Sequence, residues 1–182
     1  MTFDDITNDG RLWAVRYDGD SDNVLSNLFD KWNDILWLRE FFRNNLDDLT
    51  SYFKITDINQ AIYDTISDAE HLQCLIMDLS PDADLDKIFH HLEPSRTHEM
   101  TLGKEKVKPD HNFRHSSWLR IYAIKLSDGV YIITGGAIKL TATMQERQHT
   151  IDELKKLEKV RNFLLKENII DNDGFIDYLS EL

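Results

Sequence analysis

Pro94 divides the sequence into two rhythms, and that change constrains the fold more than any other feature. Before it, apolar residues recur at helical spacing. Val24, Leu25, Leu28, Phe29 and Trp32 share one face behind a cap at Asp22 or Asn23, and the pattern resumes through Ile35, Leu38, Phe41 and Phe42 after a break near Asn33. A second helix is predicted from Asp57, with Ile58, Ala61, Ile62, Ile66, Ala69, Leu72 and Leu75 or Ile76 on one face until Pro81 stops it. A short third one is expected in DLDKIFHHL (84–92). The one strand-like stretch in this half is RLWAVRYD (11–18), rich in β-branched and aromatic residues.

After Pro94 the alternation has period two. MTLGKEKVKP (100–109) reads as a strand interrupted by Gly103, and SSWLRIYAIKLS (116–127) as a stronger one. Ser127-Asp128-Gly129 makes a tight turn into VYIITGGAIKL, which predicts an antiparallel hairpin. Thr143 to Glu146 and Thr150 to Glu153 both match the capping box. The stripe Ile151, Leu154, Leu157, Val160 and Leu164 then predicts a helix of about five turns. A turn at Asp171–Gly174 precedes the amphipathic end FIDYL. Strand, helices, three strands and helix make an α+β chain: a small, mainly antiparallel sheet with helices packed on it. No repeat or linker divides residues 1–182, so a single domain is expected, enlarged by a helical insertion over 22–94.

Charge separates along the same line. The net charge is -12, and residues 1–93 hold 7 Lys/Arg against 20 Asp/Glu while 94–182 hold 14 against 13. The insertion is therefore acidic, and the stretch 96–139 is the one basic region, with 8 Lys/Arg against 4 Asp/Glu. Cys74 is the only cysteine, which excludes an internal disulfide and favours a reducing compartment, the cytoplasm by default. It is expected in the core of the second helix or at its boundary. No apolar run is long enough for a membrane span, and the start MTFDDITNDGR is acidic where a secretory signal is basic, so neither secretion nor a membrane partner is expected.

No cofactor or metal is expected either. The histidines never take the zincin spacing, His111 and His115 fall in a loop-like segment, and the thiol is alone. Gly135-Gly136 lacks the spacing of a phosphate loop and reads as a bulge or a close backbone approach. The carboxylate pairs Asp4-Asp5, Asp47-Asp48 and Asp82-Ala-Asp84 read as solvated turns and helix faces. The surviving constellation runs from Lys104 to Lys139. Lys104, Lys106 and Lys108 share one face of an extended segment, and the strand 118–125 places Trp118, Arg120 and Tyr122 together. Such a surface suits RNA. The lysines, Arg114 and Arg120 neutralise phosphate, Trp118 or Tyr122 stacks a base, and His111 or His115 transfers a proton.

The same residues carry a resemblance. Arg120-Ile-Tyr122, a short turn, Tyr131-Ile-Ile-Thr and then Gly136, Lys139, Thr141 and Thr143 before a charged helix resemble the RelE/HigB-like toxins (RelE/ParE superfamily) of bacterial toxin-antitoxin systems. RLWAVRYD falls where the family's first strand would. The match spans about residues 116–150. Ala137 stands where the family has an aromatic, Leu140 where it has a second lysine, and about 80 residues separate the first two strands. The resemblance implies a curved antiparallel sheet with helices on one side. It also implies a metal-independent mRNA endoribonuclease, often ribosome-associated, and a small helix-turn-helix antitoxin that neutralises it. Arg120 and Lys139 would stabilise phosphate. Tyr122, His111 and His115 complete the expected catalytic set, and Lys104, Lys106, Lys108, Arg114 and Trp118 the expected RNA contacts. The rival expectation is a non-enzymatic interaction protein of the same fold, phage-derived or defence-related, whose acidic half binds a basic partner.

Overall fold

The computed structural model describes residues 1–79, 81–92, 101–109 and 115–181. Its elements are β1 (Thr2–Asp5), β2 (Leu12–Arg16), α1 (Val24–Asn33), α2 (Ile35–Asn44), α3 (Leu46–Phe53), α4 (Ile58–Met77), β3 (His90–His91), β4 (Gly103–Val107), β5 (Leu119–Lys125), β6 (Tyr131–Ile138), α5 (Gln148–Lys166) and α6 (Asn172–Ser180). The strands form one six-stranded sheet in the order β1-β2-β6-β5-β4-β3. Every pairing is antiparallel except β2 with β6. The architecture is α+β, as the change of rhythm predicts.

Local chemistry sets the helix ends. The Asn23 side chain accepts from the backbone N–H groups of Leu25 and Ser26, and Asp34 ends α1 while capping α2 through Leu36 and Trp37. The break near Asn33 is thus two caps back to back. Thr143 and Glu146 form their capping box, around a single 3-10 turn. The second predicted box does not form. Thr150 lies inside the first turn of α5 and donates its hydroxyl to the carbonyls of Met144 (2.6 Å) and Arg147 (2.8 Å). Cys74 lies on the exposed side of α4, not in the core.

Residues 84–92 depart from the helix expected there. Asp84 caps one 3-10 turn, Leu85–Lys87, and the chain then extends so that His90 and His91 pair with Lys106 and Glu105. Phe89 stacks on Tyr131 with ring centroids 4.6 Å apart, and Leu85 is buried. Pairing with the free edge of β4 and this aromatic contact outweigh one more helical turn. The four-residue edge strand β1 has no periodic signal of its own, and its register comes from β2, with Phe3 opposite Val15.

Helices cover both faces, not the one side that the resemblance implies. Gly135 and Gly136 show why the sequence needs two glycines. Neighbouring strand residues point to opposite faces. A Cβ on Gly135 would overlap the Glu153 carboxylate of α5, and one on Gly136 would lie 2.7 Å from the Arg120 carbonyl and 2.8 Å from Leu28 of α1. The pairing with β5 slips just before them, between Tyr122 and Ala123. Glu153 then accepts from the Gly136 N–H at 3.0 Å. Both the expected bulge and the expected close approach are present. Gly136→Ala should therefore destabilise by about 2–3 kcal/mol, since a backbone carbonyl cannot move aside. Gly135→Ala should cost only about 1 kcal/mol, because the Glu153 carboxylate can swing away and lose its hydrogen bond. Urea unfolding of the two variants checks the order, and a reversed order would contradict this packing.

Candidate functional site

Strand register decides which predicted residues share a face. On β5, Arg120 lies opposite Ala137 and Tyr122 opposite Gly135, while Lys106 of β4 lies on the other side of Tyr122. His90 of β3 follows next, opposite Lys106. Lys139 lies just beyond β6, its N–H donating to the Trp118 carbonyl at 2.8 Å. One face thus carries His90, Lys106, Tyr122, Arg120 and Lys139. It is the face toward which Gly135 points, whereas α1, with α2 and α4 packed on it, lies on the other. The helices of the acidic half do not cover that side; α5 does, with Glu153 against Gly135 and Glu158 paired to Lys104. They touch the neighbouring loop through α3, where Arg147 bridges to Asp48 and Tyr52 donates to Glu146.

The three cations are held by backbone oxygen. Lys106 Nζ donates to the Leu92 carbonyl (2.9 Å), and Arg120 Nη1 to the carbonyls of Ser117 (2.7 Å) and Leu119 (2.6 Å). Lys139 Nζ donates to those of Thr141 (2.8 Å) and Ala142 (2.6 Å). Among the described residues none of the three takes part in an ion pair. Burial first, and then Arg120 and Lys108, hold the Lys106 ammonium below its usual range. Burial, Arg120 and Lys106 do the same to Lys139. Tyr122 is 1 % exposed, and its hydroxyl is buried with no hydrogen-bond partner among the described residues. Burial pushes that phenol far up, so it keeps its proton and remains a donor. Three half-buried like charges on one face have the form of an anion site, because an anion would relieve their mutual repulsion.

The other predicted residues are placed differently. Lys104 is half-buried and paired with Glu158 of α5, and Lys108 is exposed. His111 and Arg114 lie outside the described residues. Trp118 cannot stack a base. It is 0 % exposed, donates its indole N–H to Thr65 Oγ1 at 2.9 Å, and packs edge-on against Phe42 and Phe53. Its size and amphipathic ring made it look like a platform in the sequence, but at the entry to β5 it turns into the helix layer. His115 follows it, lying flat on the Trp118 ring at 4.3 Å, with Nε2 3.0 Å from Asp64 and Nδ1 3.0 Å from the Ser116 carbonyl. Its side chain is 8 % exposed, so it does not join the cation face.

His90 is the site residue that the sequence pattern missed. It is exposed on the edge strand, and its position was hidden because the segment read as helix. Among the described residues no cluster of His, Cys, Asp and Glu could hold a metal ion, and no helix is long and apolar enough to cross a membrane. No protein-family model, curated protein or solved structure matches the chain.

Proposed function

We propose that the chain is the toxin of a toxin-antitoxin system, a RelE/HigB-like, metal-independent mRNA endoribonuclease that binds the RNA backbone on Lys106, Arg120 and Lys139. The observation that carries this reading is the gathering on one face of three cations that form no ion pair among the described residues, in a chain of net charge -12. Phosphate contacts supply much of RNA affinity, and an acidic protein can bind RNA only where its charge is segregated in this way. The reaction is attack of a ribose 2'-hydroxyl on the adjacent phosphate, which forms the new O–P bond and expels the 5'-oxygen. His90 accepts the 2'-hydroxyl proton, the leaving oxygen takes a proton from water, and the cations stabilise the charge on the phosphoryl oxygens. A small helix-turn-helix antitoxin would neutralise the activity, and mRNA or the ribosome places the site of action in the cytoplasm.

Expression of the chain alone should arrest growth and cleave cellular mRNA. A harmless product without RNA cleavage would reject the proposal. The rival reading, a non-enzymatic protein of this fold that binds a basic partner through its acidic half, is favoured by exposed apolar residues among those acids, Leu36 at 75 % and Tyr63 at 68 %. Under it, removing the charges of Lys106, Arg120 and Lys139 would leave the phenotype intact.

A further inference from the structure

The opposite face of the sheet holds a second constellation. A cleft of about 850 Å³ opens at the hairpin end of β5 and β6, its walls including the Ala83–Asp86 segment and the β3–β4 pair. His91 and Glu105 are register partners, and Lys125 pairs with Gly103 on one side and Tyr131 on the other, so these side chains share the face that the cation cluster does not use.

Glu105 is 2 % exposed and accepts from His91 Nδ1 at 2.6 Å. With Glu105 held on Nδ1, the ring's Nε2 is left for a second partner. His91 is half-exposed, lines the cleft, and has no other hydrogen bond among the described residues. Charges of both signs surround it. Asp86 accepts from Lys125 Nζ (2.8 Å) and from the Tyr131 hydroxyl (2.5 Å), which anchors the cleft wall to the sheet. Asp84 and Arg11 also line the space, Arg11 holding the Ala83 carbonyl at 2.5 Å. Leu85, Leu102, Leu126 and Ile170 supply the apolar part. The volume falls in the range of sites for drug-sized ligands and is generous for one amino acid.

We propose that this cleft binds a zwitterion of about dipeptide size, its ammonium donating to His91 Nε2 among Asp84 and Asp86 and its carboxylate meeting Lys125 and Arg11. Apolar side chains of the ligand would pack on the leucines. The proposal is independent of RNA cleavage on the other face.

Histidine-selective ¹⁵N NMR of the full chain, titrated with L-leucyl-L-leucine, tests it. His91 should show the Nδ1–H tautomer, and its Nε2 resonance should shift saturably while His90, its exposed neighbour, stays still. N-acetyl-L-leucyl-L-leucine keeps only the anion and L-leucyl-L-leucinamide only the cation, and calorimetry should find each binding at least about tenfold more weakly. His91→Ala and Lys125→Met, confirmed as folded by circular dichroism, should each weaken the dipeptide by a similar factor. Absence of saturable binding, equal binding of the blocked dipeptides, or unchanged affinity in both variants would overturn the assignment.

Discussion

Trp118→Ala should lower stability by about 3–5 kcal/mol, the cost of emptying a fully buried aromatic position. The indole bridges the layers. Its rings contact Phe42 of α2, Phe53 of α3 and His115, and its N–H satisfies Thr65 of α4. Removing it leaves a cavity and strips His115 of the surface on which it lies. Urea unfolding measures the loss, and the destabilised variant should show no selective defect in RNA binding at temperatures where it remains folded. A stable Trp118→Ala protein with weakened RNA binding would restore the stacking role suggested by the sequence.

Arg120→Gln should behave in the opposite way. If the chain is the proposed ribonuclease, with Arg120 stabilising the developing phosphoryl charge, losing that donor should reduce RNA cleavage by about 10²–10³-fold. Stability should fall by no more than about 1–2 kcal/mol, because the lost hydrogen bonds to the Ser117 and Leu119 carbonyls are partly offset by relieved repulsion with Lys106 and Lys139. A linked measurement needs no RNA. Inorganic phosphate at constant ionic strength should raise the thermal midpoint of the wild-type chain, since a ligand that binds only the folded state stabilises it. Arg120→Gln and Lys139→Gln should lose most of that response. If Arg120→Gln instead unfolds the chain while cleavage per folded molecule is unchanged, Arg120 is a strut for the Ser117 and Leu119 carbonyls and the anion site falls.

Much of the architecture was legible because local chemistry and tertiary packing agree. Asn23 and Asp57 cap helices whose apolar stripes face the core, and the alternation of residues 118–125 and 131–138 gives the central hairpin. Residues 84–92 were misread because a short apolar pattern is ambiguous between helix and strand, and the free edge of β4 resolved it. For the site, the alternation of Lys104, Lys106, Arg120 and Tyr122 shows which residues share a face but not which are covered. Lys104 is claimed by Glu158, Tyr122 is enclosed, and His115 is drawn away by Asp64 and Trp118.

The sequence by itself determined the two rhythms on either side of Pro94, the caps at Asn23 and Asp57, the α+β class and the division of charge. Each depends on neighbours within a few turns or one strand pair. Only the tertiary structure decided that α1 and α5 approach Gly136 and Gly135 from opposite faces, that His90 joins the cations while His91 faces the cleft, and that Trp118 belongs to the core. Those outcomes depend on contacts between residues as far apart in sequence as Leu28 and Gly136, or Thr65 and Trp118. Burial and pairing over such separations are properties of the packed molecule, which no local pattern contains.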